Sequence, residues 1–177
     1  MDLWAKQMNN WQLIKELYDM FNHRIMRGVK NEWAIDPYAW DTGLVRMTPI
    51  ENWFWQDIRH ANAVMYPQYP VAGCFLDFAN PVAKVGVECD GKAYHLDVEK
   101  DRQRDARLGR LGWTIYRISG SDCYKDFDEE EMESSPAANL IKEICKTHGI
   151  SRNTLPRSRG LVPIGEFVHE ALLEHMA

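Results

Sequence analysis

No long hydrophobic run exists in this 177-residue chain; nothing approaches the ~20 consecutive apolar residues a bilayer span requires. Its first residues, Met1-Asp2-Leu3-Trp4-Ala5-Lys6-Gln7, lack the basic stretch and continuous apolar segment of a secretory leader. The expectation is a cytoplasmic protein with no membrane association. Cysteine is scarce: Cys74, Cys89, Cys123 and Cys145 form no C-x-x-C pair, and each stands beside apolar or aromatic residues. A disulfide framework or a thiolate zinc site is therefore not expected, and buried reduced thiols are. Basic charge is not in excess either. Lys and Arg number 21 against 26 Asp and Glu, for a formal net charge of -5. That excludes a strongly basic nucleic-acid binder but not a nuclease, whose local field matters more than its sum. No internal repeat is visible.

What is present is an ordinary globular composition, 45% hydrophobic and 27% charged, on a length that suits roughly one domain with a substantial core. The acidic surplus is local. Asp126, Asp128, Glu129, Glu130, Glu131 and Glu133 fall in one run, and removing those six from 26 leaves 20 acids against 21 bases. Such a run is a solvated loop or helix edge, or an interaction or autoinhibitory segment.

Trp11, Ile14, Leu17, Tyr18, Phe21 and Ile25 recur at three- and four-residue spacing and predict a helix over 7–27, ended by Gly28. Residues 29–47 have no clear period, and Trp33, Tyr38 and Trp40 suggest a loop packed on the core. Thr48-Pro49-Ile50-Glu51 is a helix start with a capping box. Three strands are expected near 68–71, 74–79 and 82–89, separated by the turn signals Ala72-Gly73 and Asn80-Pro81. A charged helix over 98–111 follows, then a strand over 113–118 and a helix over 137–147. Residues 151–162 read as a basic linker and 164–175 as a last helix. Residues 1–47 thus form an N-terminal helical extension, 48–150 the core, and 151–177 the linker and C-terminal helix. The order predicts an α/β fold in which helices cover a small mixed sheet.

Chemistry concentrates in the strands. Asp77 interrupts a short apolar strand, Cys74-Phe75-Leu76-Asp77-Phe78, where a charge must be exposed, paired or metal-bound. Glu88 and Asp90 end the next strand and share a face at period two. Two or three carboxylates at neighbouring strand ends suit Mg²⁺, a hard ion that takes oxygen ligands and keeps water. They are equally compatible with solvent-facing strand ends and an ordinary Asp90-Gly91 turn. His95 can act as a proton donor or phosphate contact, or be a surface histidine, and Lys92 is the nearest lysine. On the charged helix, Lys100, Arg102, Arg104, Arg107 and Arg110 suit a polyanion, or pair with Glu99, Asp101 and Asp105 as a solvated face.

The ordered set Phe75-Leu76-Asp77-Phe78, Gly86-Val87-Glu88-Cys89-Asp90-Gly91-Lys92-Ala93-Tyr94-His95, Arg104-Asp105 and Leu111-Gly112-Trp113 resembles the PD-(D/E)XK nuclease superfamily. Within it, the set is most similar to small domains related to the very-short-patch mismatch-repair endonuclease. The resemblance covers residues 48–122. It implies a restriction-endonuclease-like core of order αβββαβ and Mg²⁺-dependent hydrolysis of DNA phosphodiesters, with Mn²⁺ as substitute. It implies metal binding by Asp77, Glu88 and the Cys89 carbonyl, and catalytic roles for Asp77, Glu88, Asp90, His95 and Glu51. Lys92, Arg102, Arg104 and Arg107 become candidate substrate contacts, with Asp105 in support. Two positions depart from the pattern: Leu76 replaces the usual proline, and Asp90 stands where lysine is usual. Cleavage would expel the 3′ oxygen and leave a 5′ phosphate. The expected partner is DNA, with a homodimer or a larger nucleic-acid-processing complex compatible with the short acidic chain. The alternatives are a catalytically inactive nucleic-acid-binding or assembly module on the same core, and a structural interaction protein using the Trp-rich helices and the acidic run.

Overall fold

The computed structural model describes residues 10–35, 47–91, 98–124 and 134–152. Helix α1 (Asn10–Arg27) is followed by α2 (Pro49–His60) and by strands β1 (Tyr66–Val71), β2 (Cys74–Asn80) and β3 (Val85–Asp90). Then come α3 (Val98–Arg110), β4 (Thr114–Ser119), the one-turn α4 (Gly120–Cys123) and α5 (Pro136–His148). The sheet order is β1-β2-β3-β4, with β1 and β2, and β2 and β3, antiparallel and β3 and β4 parallel. From α2 to β4 the order is αβββαβ, a mixed α/β core flanked by helices.

One apolar core joins the elements. Ile14, Leu17, Tyr18, Phe21 and Ile25 of α1 bury with Phe54, Trp55 and Ile58 of α2, Leu76 and Phe78 of β2, and Ile141 and Ile144 of α5. Trp55 stacks on Phe78 at 5.7 Å between ring centres, which seats α2 on the sheet. The N-terminal helix is tied to β1 by polar bonds as well: Tyr18 donates to the Pro67 carbonyl, and Tyr69 donates to Asn22 at 2.6 Å. The expected loop packing holds for its described part, where Trp33 is buried edge-on to Tyr66. Asn80 fastens that loop, its amide donating to the Lys30 and Val64 carbonyls at 2.7 and 2.8 Å.

Among the described residues, three elements depart from the sequence expectation by more than one residue. β1 begins at Tyr66, because Tyr66 and Pro67 pair with Ala79 and Phe78; proline is tolerated there because β1 is an edge strand. β3 begins at Val85, because residues 81–84 form a turn in which Asn80 accepts the Ala83 N–H at 2.9 Å and Lys84 is left-handed at φ 51°. The short α4 was not expected from sequence; Ser119 caps it by accepting the Asp122 N–H at 3.2 Å. The acidic run 126–133, Tyr38, Trp40, the rest of the basic linker beyond Arg152 and the C-terminal helix lie outside the described residues.

Candidate active site

The antiparallel register sets the site. Phe78 pairs with Val87 and with Pro67. Extending these registers by one residue sets Asp77 of β2 level with Glu88 of β3 on one side and with Gln68 of β1 on the other, where the β1–β2 ladder is interrupted. Glu88 is in turn the parallel partner of Arg117 on β4. A single row, Gln68, Asp77, Glu88, Arg117, therefore crosses the whole sheet. The hairpin and crossover bring together four residues spread over 50 positions of sequence.

The two central carboxylates are in a costly environment. Burial first, then the neighbouring charges of Glu51 and Asp90, push the Asp77 carboxyl up to about 7, against the opposing pull of the Cys89 N–H and Arg104. Asp77 Oδ2 accepts that N–H at 2.7 Å. Burial and then Asp77 push Glu88 up to about 8, opposed by Arg104 and Arg117. Glu88 is only 8% exposed, and its Oε1 is buried with no hydrogen-bond partner. The nearest Arg104 nitrogen is 3.6 Å away, beyond a good hydrogen bond. Arg104 Nε is likewise buried without a hydrogen bond, 3.6 Å from Asp105.

Glu51 joins them from α2. It is buried, with Oε1 accepting from the Thr48 hydroxyl at 2.8 Å and Oε2 from the Gln68 amide at 3.3 Å. Thr48 caps α2 as the sequence implied, accepting the Glu51 N–H at 3.4 Å, while the Glu51 carboxylate takes the Thr48 hydroxyl and acts electrostatically on Asp77. Asp90 is tied to Arg117 at 2.9 Å, and Arg117 also grips both oxygens of Asp105 at 3.2 and 3.0 Å. Asp90 therefore has its own cation, delivered from β4. The Cys89 thiol is held protonated by a hydrogen bond with Cys123 and by burial, so only its carbonyl is suited to an ion.

Of the other sequence candidates, Arg102 pairs locally with Glu99 at 3.0 Å on the solvent face of α3, and Arg107 is exposed on that helix. Lys92 and His95 lie outside the described residues. Gln68 and Arg117 are members of the row that the sequence reading did not single out. The sequence carried no distinctive signal for either, since a polar side chain in a strand is ordinarily satisfied by solvent. A cavity of about 450 Å³ lies instead between α2, α4 and α5, walled by Trp53, His60, Cys123 and Lys142; Glu51, Asp77, Glu88 and Asp90 do not line it.

Asp77 and Glu88 fit a hard divalent cation. They are oxygen donors, burial raises the proton affinity of both, the Asp77 charge adds to that of Glu88, and one buried oxygen of Glu88 lacks a partner. Among the described residues, no three His, Cys, Asp or Glu side chains converge as a metal-binding group. The donor set would be this pair, a backbone carbonyl and water, which is how Mg²⁺ is commonly held.

Known proteins resemble part of the chain. Residues 51–135 match the restriction-endonuclease-like family model REase_MTES_1575, a span that contains the entire row. The chain is 35% identical over 77 residues to the uncharacterized protein YcjD of Escherichia coli (strain K12), covering 44% of this chain and 61% of that protein. It is 29% identical over 86 residues to an uncharacterized protein of Haemophilus influenzae, covering 46% of this chain and 71% of that one. Among solved structures, the homing endonuclease I-Bth0305I catalytic domain matches with a TM-score of 0.45 at 17% identity, over 58% of this chain and 98% of that domain.

Proposed function

We propose that this protein is a metal-dependent endonuclease that hydrolyses DNA phosphodiester bonds at the Asp77–Glu88 pair. The observation that carries the reading is the pair itself: two carboxylates adjacent across the sheet, both pushed toward protonation, with a buried Glu88 oxygen lacking a hydrogen bond. A fold keeps such a liability where function uses it. Asp77, Glu88 and the Cys89 carbonyl would hold Mg²⁺ or Mn²⁺. When bound, such an ion polarises the phosphoryl group and makes its water more acidic.

The residues of the chain do the rest. Neither arginine can take a proton from water at neutral pH, because a guanidinium stays charged. Arg104, 22% exposed beside Glu88, faces the place where phosphate charge develops and stabilises it. Arg117 fixes Asp90 through its ion pair. Asp90 keeps acceptor capacity for orienting the attacking water, the role lysine cannot play here. Lys92 is assigned to phosphate contact and His95 to protonation of the leaving 3′ oxygen. The exposed arginines of α3, Arg102 and Arg107, would meet the DNA backbone.

The acid in place of lysine, already neutralised by Arg117, favours a second reading: a nucleic-acid-binding or assembly module on the same core, without hydrolysis. A nicking assay separates the two. Supercoiled plasmid incubated with the protein and Mg²⁺ or Mn²⁺ is expected to be nicked, with loss of cleavage in EDTA and in Glu88→Gln. Cleavage that persists at full rate in Asp77→Asn and Glu88→Gln sinks the proposed site. DNA binding without cleavage under either metal supports the second reading.

A further inference from the structure

Resting on the nuclease reading, we infer that Gln68 is a positioning residue of this site: its amide fixes the Glu51 carboxylate beside the row that carries the Asp77–Glu88 pair, so that Glu51 supports the negative field of the pair without being one of its ligands. Three observations meet at Gln68. It lies in the row opposite Asp77, where the β1–β2 ladder skips a pair between Pro67–Phe78 and Tyr69–Leu76. Its backbone is left-handed at φ 47°, a conformation that costs a non-glycine residue free energy and that a regular strand does not require. Its side chain is buried, 5% exposed, and donates to Glu51 Oε2 at 3.3 Å.

The strain and the bond are two sides of one arrangement. A regular edge strand would carry residue 68 flat beside residue 77. The left-handed turn of the backbone instead lets the amide reach the N-terminal turn of α2. Glu51 then has both oxygens engaged, one by Thr48 and one by Gln68, and its buried carboxylate is fixed in orientation. A neutral amide suits this task. A lysine in its place would neutralise the negative field that draws a cation, and a carboxylate would repel Glu51. A capping role alone needs only Thr48 and a solvated Glu51, and does not account for a buried amide at a left-handed position.

The inference is tested by Gln68→Ala and Gln68→Gly together with Glu51→Gln. Mn²⁺ affinity is read by titration calorimetry, and the Mn²⁺ concentration for half-maximal nicking is read on the same proteins. Glycine accepts positive φ without strain, so Gln68→Gly should unfold at or above the temperature of Gln68→Ala. Both variants should nevertheless weaken Mn²⁺ binding by roughly ten-fold or more, as loss of a supporting group outside the ligands typically does. Glu51→Gln should produce a similar shift, and the Glu51→Gln/Gln68→Gly double variant should add little, because the two act as one unit. Variants that lose thermal stability but keep wild-type Mn²⁺ affinity and half-maximal concentration overturn the positioning role and leave the nuclease reading standing. A wild-type protein that neither binds Mn²⁺ nor nicks DNA overturns both.

Discussion

Asp77 and Glu88 retain protons that ordinary carboxylates lose well below neutral pH, their values being raised to about 7 and about 8. The consequence for stability has the opposite sign to that of a salt-bridged acid. Between the unfolded carboxylate value near 4 and these folded values, the native state binds more protons than the unfolded chain, so stability falls as pH rises through this window. Urea midpoints should therefore be highest near about pH 5 and fall toward about pH 8, and Asp77→Asn should flatten the fall. A wild-type midpoint that stays level over that range contradicts the raised values. The same protons must leave when a cation binds. At about pH 7, Mn²⁺ binding should release protons, so that its apparent calorimetric enthalpy differs between PIPES and Tris buffers. Glu88→Gln should shrink that difference. The acids were legible in sequence for the reason that makes them unusual here, since a charge inside a short apolar strand demands a partner. Gln68 and Arg117 were not, because an amide or a guanidinium in a strand is ordinarily satisfied by solvent. Only the pairing of four strands puts both in one row with the acids, and that register is a tertiary property.

Strand β3 carries Glu88 between two neighbours that press on it, and Gly86 is the point where they do so. A Cβ at position 86 would sit 2.8 Å from Leu76 Cδ1 and 3.2 Å from Ile115 Cδ1. Gly86→Ala should therefore cost about 1–3 kcal/mol through overpacking, read as a lower thermal midpoint. Because Gly86 lies two residues before Glu88, the same variant should slow nicking beyond what its unfolded fraction explains. Unchanged stability would mean that the β2–β3–β4 contact is looser than these distances state. At this scale much of the architecture was legible. Thr48-Pro49-Ile50-Glu51 announced α2 through local capping chemistry, and Gly112 ended α3 in a left-handed turn, φ 83°, as its position implied. The start of β1 escaped because proline argues against a strand until the strand is known to be an edge. The four-residue α4 escaped because Ser119-Gly120 looks like a strand end, and one turn has no hydrophobic period to read.

The whole chain is acidic, and in the proposed reading the arginines of α3 recruit DNA against that background. The net charge of -5 is accounted for by the six acids between Asp126 and Glu133, since the rest carries 20 acids and 21 bases. Connectivity ties this run to the site. It follows α4, which begins directly after Ser119, the parallel partner of Asp90. A cluster of like charge attached there repels phosphate at low ionic strength and is screened as the Debye length shrinks to about 10 Å at 0.1 M salt and less above it. Replacing the six acids by their amides should therefore tighten binding to a labelled duplex several-fold at about 50 mM salt, with the gain vanishing near about 300 mM. Fluorescence anisotropy across a salt series measures this directly. The variant should also show a steeper fall of affinity with salt than the wild type, because the field that opposes its phosphate contacts has been removed. Equal affinities at low salt would identify the run as a solvated loop with no influence on DNA. A gain that persists at high salt would instead mean that the segment occupies the DNA-binding face by contact, which makes it an autoinhibitory element rather than a distant repulsive charge.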